Sequence, residues 1–330
     1  MDITKDKSVL VTGGRGFIGR AVVKLLRSAG YSVASLDHAP GVIVSEPVSK
    51  DVVCDVADAA QLQRIFEERP IGGIIHLAAI LPTMAQRQPM RATQVNVGGS
   101  LNLLEAARQF TVQRIVFGSS LSIYGTWPAD RVVAETDRAA PEDLYGAAKL
   151  YVEHLGQAYR AHYGLQFFSL RIGRVVGPGA QSLTSAWRNQ IVELLDTRQS
   201  SEIVIPYMSS ERLLMVHVDD VARMLVTLLQ APAPGHAVYN TPCQSVVVAD
   251  LKREVESLNS KITVTLGKDP AFGNPRLLDA SRFQREFSYQ TIPIFEQLRI
   301  AAGSQSSRAF SQSPTPNAIC HPDLSEGSGC

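Results

Sequence analysis

The sequence lacks an excess of charge of either sign. Its 330 residues contain 32 Lys and Arg against 31 Asp and Glu, a formal net charge of +1 at pH 7. Proteins that hold nucleic acid or anionic lipid through a basic surface carry a marked positive excess. We therefore expect no nucleic-acid partner and no membrane association driven by charge.

Long apolar runs are also absent, because no stretch reaches the roughly 18 residues that a transmembrane helix needs. The first ten residues contain two Asp and two Lys, unlike the apolar centre of a secretory signal peptide. The only cysteines, Cys54, Cys243, Cys320 and Cys330, form no Cys-x-x-Cys pair and no metal-ligand spacing. We expect a cytoplasmic protein with reduced thiols and no bound metal.

What the sequence does have is an alternation of short β-branched apolar runs with longer segments of helical period. This alternation is typical of βαβ units, so it predicts an α/β fold with a Rossmann-type doubly wound parallel sheet. The predicted strands are SVLVT, YSVASLD, KDVVCDV, GGIIHLA, QRIVFGS and LQFFSLRI. The predicted crossover helices cover residues 17–28, 59–69, 90–109 and 141–162.

A glycine-rich turn lies between the first predicted strand and the first predicted helix. Gly14, Gly16 and Gly19 satisfy G-x-G-x-x-G, which a dinucleotide site needs for a tight turn and for close approach of backbone to pyrophosphate. Asp37 ends the second strand, where a carboxylate accepts hydrogen bonds from the adenine ribose and repels a 2′-phosphate, so it favours NAD. Arg15 is a possible partner for a 2′-phosphate, which keeps NADP open as the less favoured cofactor.

The alternation weakens after Val175, which suggests a division of the chain. We predict a dinucleotide-binding Rossmann domain over residues 1–175 and a smaller C-terminal substrate lobe over 176–302, with some segments returning to the Rossmann core. Residues 303–330 are rich in Ser, Pro and Gly without apolar periodicity, so we expect a disordered tail.

The motifs continue along the chain in a recognisable order. TGGRGFIG in the glycine turn is followed by HLAA at residues 76–79, NVGGSLNLLEA at 96–106 and HVDDVA at 217–222. Over about residues 8–300 the sequence resembles the extended short-chain dehydrogenase/reductase family of the NAD-dependent epimerase/dehydratase type. Together with the glycine turn, this resemblance implies a set of NAD-binding residues. They are Gly13, Gly14, Arg15, Gly16, Phe17, Ile18, Gly19, Asp37, Asp55, Val56, Leu77, Ala78, Ala79, Asn96, Ser119, Tyr145 and Lys149.

Ser120, Tyr145 and Lys149 are the predicted catalytic residues. Removal of a hydride from a secondary alcohol requires a base for the hydroxyl proton, and we assign that role to Tyr145. Lys149 lies four residues later, on the same helix face. We expect its ammonium, together with the positive nicotinamide, to lower the tyrosine pKa toward neutrality. Ser120 ends the fifth strand, where its hydroxyl would hydrogen-bond the reacting oxygen.

The resemblance covers enzymes of three reaction types. Sugar dehydratases of the family place an Asp-Glu pair after the catalytic Ser or Thr, whereas this sequence has Leu121 and Ser122, which disfavours dehydration. We predict epimerisation of a sugar, foremost a nucleotide sugar, through transient hydride abstraction. Net dehydrogenation of a sugar, a sugar acid or another secondary alcohol is the first alternative. A non-catalytic dinucleotide-sensing protein is the second.

Substrate contacts are predicted from the same resemblance. Arg174 replaces the Asn that binds the sugar diphosphate in the family's epimerases, and an arginine there suits a phosphate or a carboxylate. Arg276 is a second candidate for the anion. Ser120, Ser122 and Tyr145 complete the predicted substrate contacts.

Two further expectations concern helices. The family suggests a homodimer through helices 90–109 and 141–162, although their apolar faces are equally suited to packing on the sheet. His217 has a structural role in this interpretation, and Asp219 or Asp220 is expected to cap a helix over residues 221–230.

Overall fold

The computed structural model describes residues 7–38, 51–179, 186–197 and 200–303. Seven parallel strands form the central sheet, in the order β3-β2-β1-β4-β5-β7-β11. Its strands are β1 (Ser8–Thr12), β2 (Val33–Asp37), β3 (Asp51–Val53), β4 (Ile71–His76), β5 (Arg114–Ser120), β7 (Gln166–Ile172) and β11 (Val238–Asn240). The strand order reverses between β1 and β4, which makes the sheet doubly wound and places a binding crevice beyond the ends of these two strands.

Helices cover both faces of this sheet because its strands are apolar on both sides. Val9 and Val11 pack toward one cluster of buried residues, and Leu10 and Ile74 toward another. The helices that follow strands of the central sheet are α1 (Phe17–Ser28), α2 (Ala59–Glu68), α3 (Pro82–Arg87), α4 (Pro89–Thr93), α5 (Ser100–Gln109) and α6 (Leu144–Tyr163). In the described part of the chain, no helix has the length and apolarity that crossing a bilayer requires.

A smaller group of elements follows β7. Its strands are β8 (Arg174–Val176), β9 (Ser201–Tyr207), β10 (Arg212–His217), β12 (Gln244–Val247) and β13 (Ile262–Asp269), and its helices are α7 (Ala186–Thr197), α9 (Val248–Leu258) and α11 (Ile294–Ala301). They enclose a separate buried cluster that includes Trp187, Ile203 and Leu213. A third small sheet pairs β6 (Val132–Val133) with β14 (Leu277–Leu278).

Two elements after residue 176 belong to the large sheet. Strand β11 pairs with β7, and helix α8 (Val218–Gln230) packs on α1 within one buried cluster. The short helix α10 (Ser281–Glu286) adds Phe283 to that same cluster. The division at residue 175 stays a prediction, and apart from Gly303 the predicted tail lies outside the described residues.

The ends of the helix predicted over 90–109 agree with the structure, but the segment consists of α4 and α5 joined through a π-helical segment, Gln94–Gly99, with α3 before them. The predicted start of the helix at 221 is wrong. Helix α8 begins at Val218, three residues earlier than predicted, and its cap is His217, whose Nδ1 accepts from the Asp219 backbone N–H at 3.3 Å. Asp219 and Asp220 therefore lie in the first turn, where their charge favours the helix dipole, and neither is the cap.

Candidate active site

The glycine turn is built by backbone crowding that excludes side chains. Gly13 has φ +67°, and the Gly16 N–H donates to the Gly13 carbonyl at 2.9 Å. A Cβ atom on Gly19 would overlap that same carbonyl, and one on Gly14 would overlap the Ser35 hydroxyl. The turn therefore leaves a concave strip of bare backbone at the end of β1, as close approach of a pyrophosphate requires.

Helix α1 begins at Phe17, directly after this turn. Its cap is Gly16, no side chain caps its first N–H groups, and its first turn contains no acidic residue. Uncapped N–H groups and the positive end of the helix dipole favour an anion at this position. The turn and the helix together fit the diphosphate of a dinucleotide.

A single cavity of about 740 Å³ extends from this turn across the ends of β1, β4 and β5. Most of the predicted site residues line it: Gly13, Gly16, Phe17, Ile18, Gly19, Asp37, Asp55, Val56, Leu77, Ala78, Ala79, Ser119, Ser120, Ser122, Tyr145, Lys149 and Arg174. Gly14, Arg15, Asn96 and Arg276 are not among its described lining residues.

Asp37 lines the end of the cavity that is predicted to hold the adenine ribose. Its Oδ2 accepts the Arg15 backbone N–H at 3.1 Å, and its Oδ1 accepts the His38 N–H at 2.9 Å. The Arg15 side chain turns away from the cavity, with Nε 3.3 Å from Asp51 Oδ2. The carboxylate partner of Arg15 removes the main argument for a 2′-phosphate, so the arrangement favours NAD.

Neighbouring residues complete this end of the cavity. Asp55 Oδ1 accepts the Ala57 N–H at 2.9 Å, and Asp55 Oδ2 forms an ion pair with Arg91. The Ala57 and Arg91 hydrogen bonds hold the pKa of Asp55 below its ordinary value although burial opposes them. The thiol of Cys54 is buried against Asp55 and Asp58, and this raises its pKa to about 11.

A buried hydrogen-bond relay aligns the chain at the ends of β1 and β4. Ser100 Oγ donates to the Asn96 carbonyl at 2.7 Å, so it accepts from His76 Nε2 at 2.9 Å. His76 Nδ1 then accepts the Thr12 hydroxyl at 2.7 Å, and Thr12 Oγ1 accepts the N–H groups of Leu77 and Ala78 at 3.2 Å each. Burial lowers the pKa of His76 to about 3, so the ring is neutral.

Asn96 lies outside the cavity and supports the chain segment after β4 that lines it. Its side chain is buried and makes both bonds to one residue, accepting the Ile80 N–H at 2.7 Å and donating to the Ile80 carbonyl at 3.0 Å. Asn96 therefore positions the segment after β4, and both its amide nitrogen and its amide oxygen are used in these two hydrogen bonds.

Ser119 is likewise tied to the interior. Its hydroxyl donates to Glu153 Oε1 at 2.5 Å, and Glu153 pairs with Arg171 at 2.7 Å, both almost fully buried. Arg171 also donates to the Tyr124 hydroxyl at 2.7 Å. This network joins α6 to β5 and β7 directly beneath the cavity, and the glutamate charge raises the pKa of Arg171 against burial.

Ser120, Tyr145 and Lys149 meet at the end of β5. Asp143 caps α6 by accepting the Gly146 N–H at 2.6 Å, and a Cβ on Gly146 would crowd the Ser122 carbonyl, so the helix begins tight against the turn after β5. Lys149 Nζ lies 5.5 Å from the centre of the Tyr145 ring and donates to the Gly118 carbonyl at 2.6 Å. The three predicted catalytic side chains therefore share one wall of the cavity.

Taken together, the protein's own residues do not lower the Tyr145 pKa. Burial and the Asp143 carboxylate raise the pKa of Tyr145, and only the Ser120 hydroxyl lowers it. Burial also lowers the pKa of Lys149 to about 7, although Glu153 opposes this. The predicted depression of the Tyr145 pKa therefore depends on a positive charge supplied from outside the chain, which the nicotinamide would provide.

Ser122, Arg174, Arg188 and Asn274 line the part of the cavity that is predicted to hold the substrate. Ser122 Oγ accepts from Ser120 Oγ at 3.1 Å, so the two hydroxyls face one another. Arg276 does not reach the cavity, because it forks onto Glu211 with contacts of 2.9–3.2 Å. Sequence reasoning missed Arg188 and Asn274, because no motif marks either residue.

Comparison with known proteins gives consistent matches. The model of the NAD dependent epimerase/dehydratase family matches residues 9–241. A UDP-glucose 4-epimerase of Lacticaseibacillus casei is 36% identical over 177 residues, which are 52% of this chain and 52% of that protein. The chain thus matches about half of that relative's length. The mitochondrial L-threonine 3-dehydrogenase of Bos taurus is 24% identical over 80% of this chain and 72% of its own.

Solved structures share the fold. The UDP-glucose 4-epimerase of Thermus thermophilus, determined in complex with NAD, superposes with a TM-score of 0.77 at 27% identity. The superposition covers 90% of this chain and 98% of that one.

Proposed function

The chain belongs to the NAD dependent epimerase/dehydratase family, and on that premise we propose that it is an NAD-dependent epimerase that acts on a secondary hydroxyl of a sugar, foremost a nucleotide sugar. The family and the Rossmann-type fold predicted from the motifs are confirmed. The observation that carries the proposal is the placement of Ser120, Tyr145 and Lys149 in the same cavity as the glycine turn.

In the first step the substrate hydroxyl loses its proton while the carbon that carries it loses a hydride. Tyr145 accepts that proton as the hydride leaves, and Ser120 hydrogen-bonds the oxygen as a carbonyl forms. NAD, when bound along Gly13–Gly19 and Asp37, supplies the hydride acceptor and a positive charge beside the phenol. Lys149 holds the tyrosine end of α6 against Gly118 through its hydrogen bond to the Gly118 carbonyl. Epimerisation is complete when the hydride returns to the opposite face of the carbonyl carbon and Tyr145 returns the proton to the oxygen.

Two side chains argue against dehydration. Leu121 is fully buried and has no ionisable group, and Ser122 is hydrogen-bonded to Ser120. Neither is an acid that can protonate a leaving hydroxyl.

Net dehydrogenation is the second candidate. It is favoured by the match to a threonine dehydrogenase, which extends over 80% of this chain, against 52% for the epimerase of Lacticaseibacillus casei. Both reactions use the same base and the same cofactor site, and they differ in whether the reduced cofactor is released.

The test is a panel of sugars, nucleotide sugars and sugar acids given with excess NAD, followed by NADH absorbance and product analysis. An isomeric product without net NADH supports epimerisation. NADH formed in proportion to the oxidised product establishes the dehydrogenase, and NAD binding without turnover of any compound of the panel contradicts a sugar epimerase.

We extend the proposal to a homodimer in the cytoplasm. Val152, Gly156 and Tyr159 occupy the sheet-facing side of α6. Tyr151 on another side of α6 and Leu101 on α5 are exposed, and both are available to pack on a second copy. Cys54 and Cys243 are free thiols, as a reducing compartment favours. Sedimentation at several protein concentrations tests the dimer, and imaging of a tagged chain in cells tests the location.

A further inference from the structure

Two arginines from different elements line the substrate end of the cavity. Arg174 begins β8, and Arg188 lies in the first turn of α7. Burial lowers the pKa of Arg188 to about 10, with a further contribution from the charge of Arg174. Two guanidinium groups that repel one another are stabilised by a negative group between or beside them.

In the described part of the chain, both arginines contact only neutral groups. Arg188 Nη1 donates to the Val175 carbonyl at 3.3 Å, and Arg174 Nη2 lies 3.5 Å from the Phe272 carbonyl. No described carboxylate lies within 4.0 Å of either guanidinium. Two other inward-facing arginines of this fold are neutralised by carboxylates, Arg171 by Glu153 and Arg276 by Glu211.

An aromatic ring holds Arg174 in place, and no described carboxylate neutralises its charge. Its guanidinium lies 5.8 Å from the centre of the Tyr207 ring, and the Tyr207 ring meets the Trp187 ring edge-on at 6.4 Å. A cation over an aromatic face is stabilised and oriented, yet keeps its N–H donors available. Trp187 adjoins Arg188 on α7, so the same packing fixes both elements.

The two arginines share the cavity of the reacting group. Ser120 on β5 pairs with Ile172 on β7, and Arg174 follows Ile172 by two residues. Adjacent strands lie about 4.8 Å apart and each residue advances about 3.3 Å, so the backbone of Arg174 lies roughly two residues beyond Ser120 on the neighbouring strand. Arg188 lines the same cavity as Ser120 and Tyr145.

We propose that Arg174 and Arg188 form a two-arginine anion site that binds an acidic group of the substrate itself, a carboxylate or a phosphate close to the reacting hydroxyl. This inference rests on the proposed function, because it places the anion relative to Ser120 and Tyr145. The site selects acidic substrates, since a neutral analogue leaves two desolvated positive charges without a partner.

The experiment measures ligand binding to the protein saturated with NADH, so that it does not depend on turnover. The probes are D-glucarate for the carboxylate source, UDP for the diphosphate source, and uncharged D-glucitol. The variants are Arg174→Gln and Arg188→Gln, each of which keeps a donor but loses the charge. Arg64→Gln, an exposed arginine on α2, is the control with the same change in net charge. NADH affinity is measured for each protein to report that the fold is intact.

We expect at least one anionic probe to bind, D-glucitol to bind far more weakly, and each cavity variant to weaken the anion about 10- to 100-fold, as loss of a charge-assisted hydrogen bond predicts. Preference for D-glucarate over UDP identifies a sugar acid, and the reverse identifies a nucleotide sugar. Equal affinity in wild type and both variants overturns the site, as does failure of both anions to bind. NADH binding and specific anion binding without turnover would contradict the proposed function but not this site.

Discussion

The Nζ atom of Lys149 donates a hydrogen bond to the carbonyl oxygen of Gly118 at 2.6 Å. Gly118 belongs to β5 two residues before Ser120, and Lys149 belongs to α6 four residues after Tyr145. This contact and the Ser119–Glu153 hydrogen bond together tie the strand that carries the serine to the helix that carries the tyrosine. The predicted catalytic arrangement depends on this junction as much as on the three side chains.

Tyr145→Phe should reduce turnover by about 100- to 10,000-fold, the usual contribution of a general base. NAD affinity should change little, because the glycine turn and Asp37 are untouched. Steady-state kinetics and NAD titration measure the two effects separately. Tyr151→Phe, an exposed tyrosine on the same helix, is the control, and unchanged turnover in the Tyr145 variant would remove the assigned base.

Gly19→Ala should abolish NAD binding, because the added methyl group overlaps the Gly13 carbonyl inside the turn. Gly98→Ala is the matched helical control, since its nearest neighbour, the Thr93 carbonyl oxygen, is 4.0 Å away. Titration of both variants with NAD tests this. Comparable affinity in the two would mean that the turn is not the dinucleotide site.

Asp37→Asn should narrow the preference for NAD over NADP by about tenfold or more, because a carboxylate both accepts from ribose hydroxyls and repels the 2′-phosphate. The measurement is the ratio of dissociation constants for the two cofactors. Asp130→Asn, in an exposed position, controls for the change in net charge. Wild-type protein that binds both cofactors equally would refute the role of Asp37.

Acid should destabilise the wild type more than His76→Gln. Burial holds the pKa of His76 at about 3, against an ordinary value of 6.5, so below about pH 6.5 the unfolded chain binds a proton that the folded chain refuses. The free energy of unfolding of the wild type, relative to the variant, should fall by up to about 1.4 kcal/mol per pH unit between these values. Urea unfolding near neutral pH and at mildly acid pH measures the difference, and parallel curves would contradict it.

Glu153→Gln should lower the free energy of unfolding by about 3–5 kcal/mol, because it leaves the Arg171 charge buried without its counter-ion. Glu67→Gln, at an exposed position on α2, should change the free energy of unfolding by less than about 0.5 kcal/mol. Thermal or urea unfolding of both variants provides the comparison. Similar stability of the two variants would show that the Tyr124 hydroxyl and the Glu135 carbonyl hold Arg171 adequately without the Glu153 charge.

Local signals carried most of the sequence prediction. The glycine turn, Asp37 and the Tyr145–Lys149 pair are short-range patterns whose geometry follows from one turn or one helix, and the structure gathers them in the cavity. Arg276 was assigned to the anion because nothing nearby in sequence marks its partner Glu211, 65 residues away. Arg188 escaped notice for the converse reason, since only the packing of α7 on β8 and β9 brings it to Arg174.

Other differences have equally physical causes. The segment 90–109 reads as one helix because the π-helical segment Gln94–Gly99 continues the helical path from α4 to α5 without a break. His217 caps α8 because an imidazole nitrogen accepts an N–H as an aspartate oxygen does, and the sequence offered both. The Tyr145 pKa depends on burial, which no spacing of residues reveals.

The return of the chain at β11 has a consequence for how the molecule holds together. After β7 the chain leaves the central sheet, builds β8 to β10, and comes back to add Val238–Asn240 along the outer side of β7. A fragment that stops near residue 175 would present β7 as an unpaired edge, prone to pairing with other chains. The two parts are consequently interwoven by several passes of the backbone, and they should melt in a single cooperative transition.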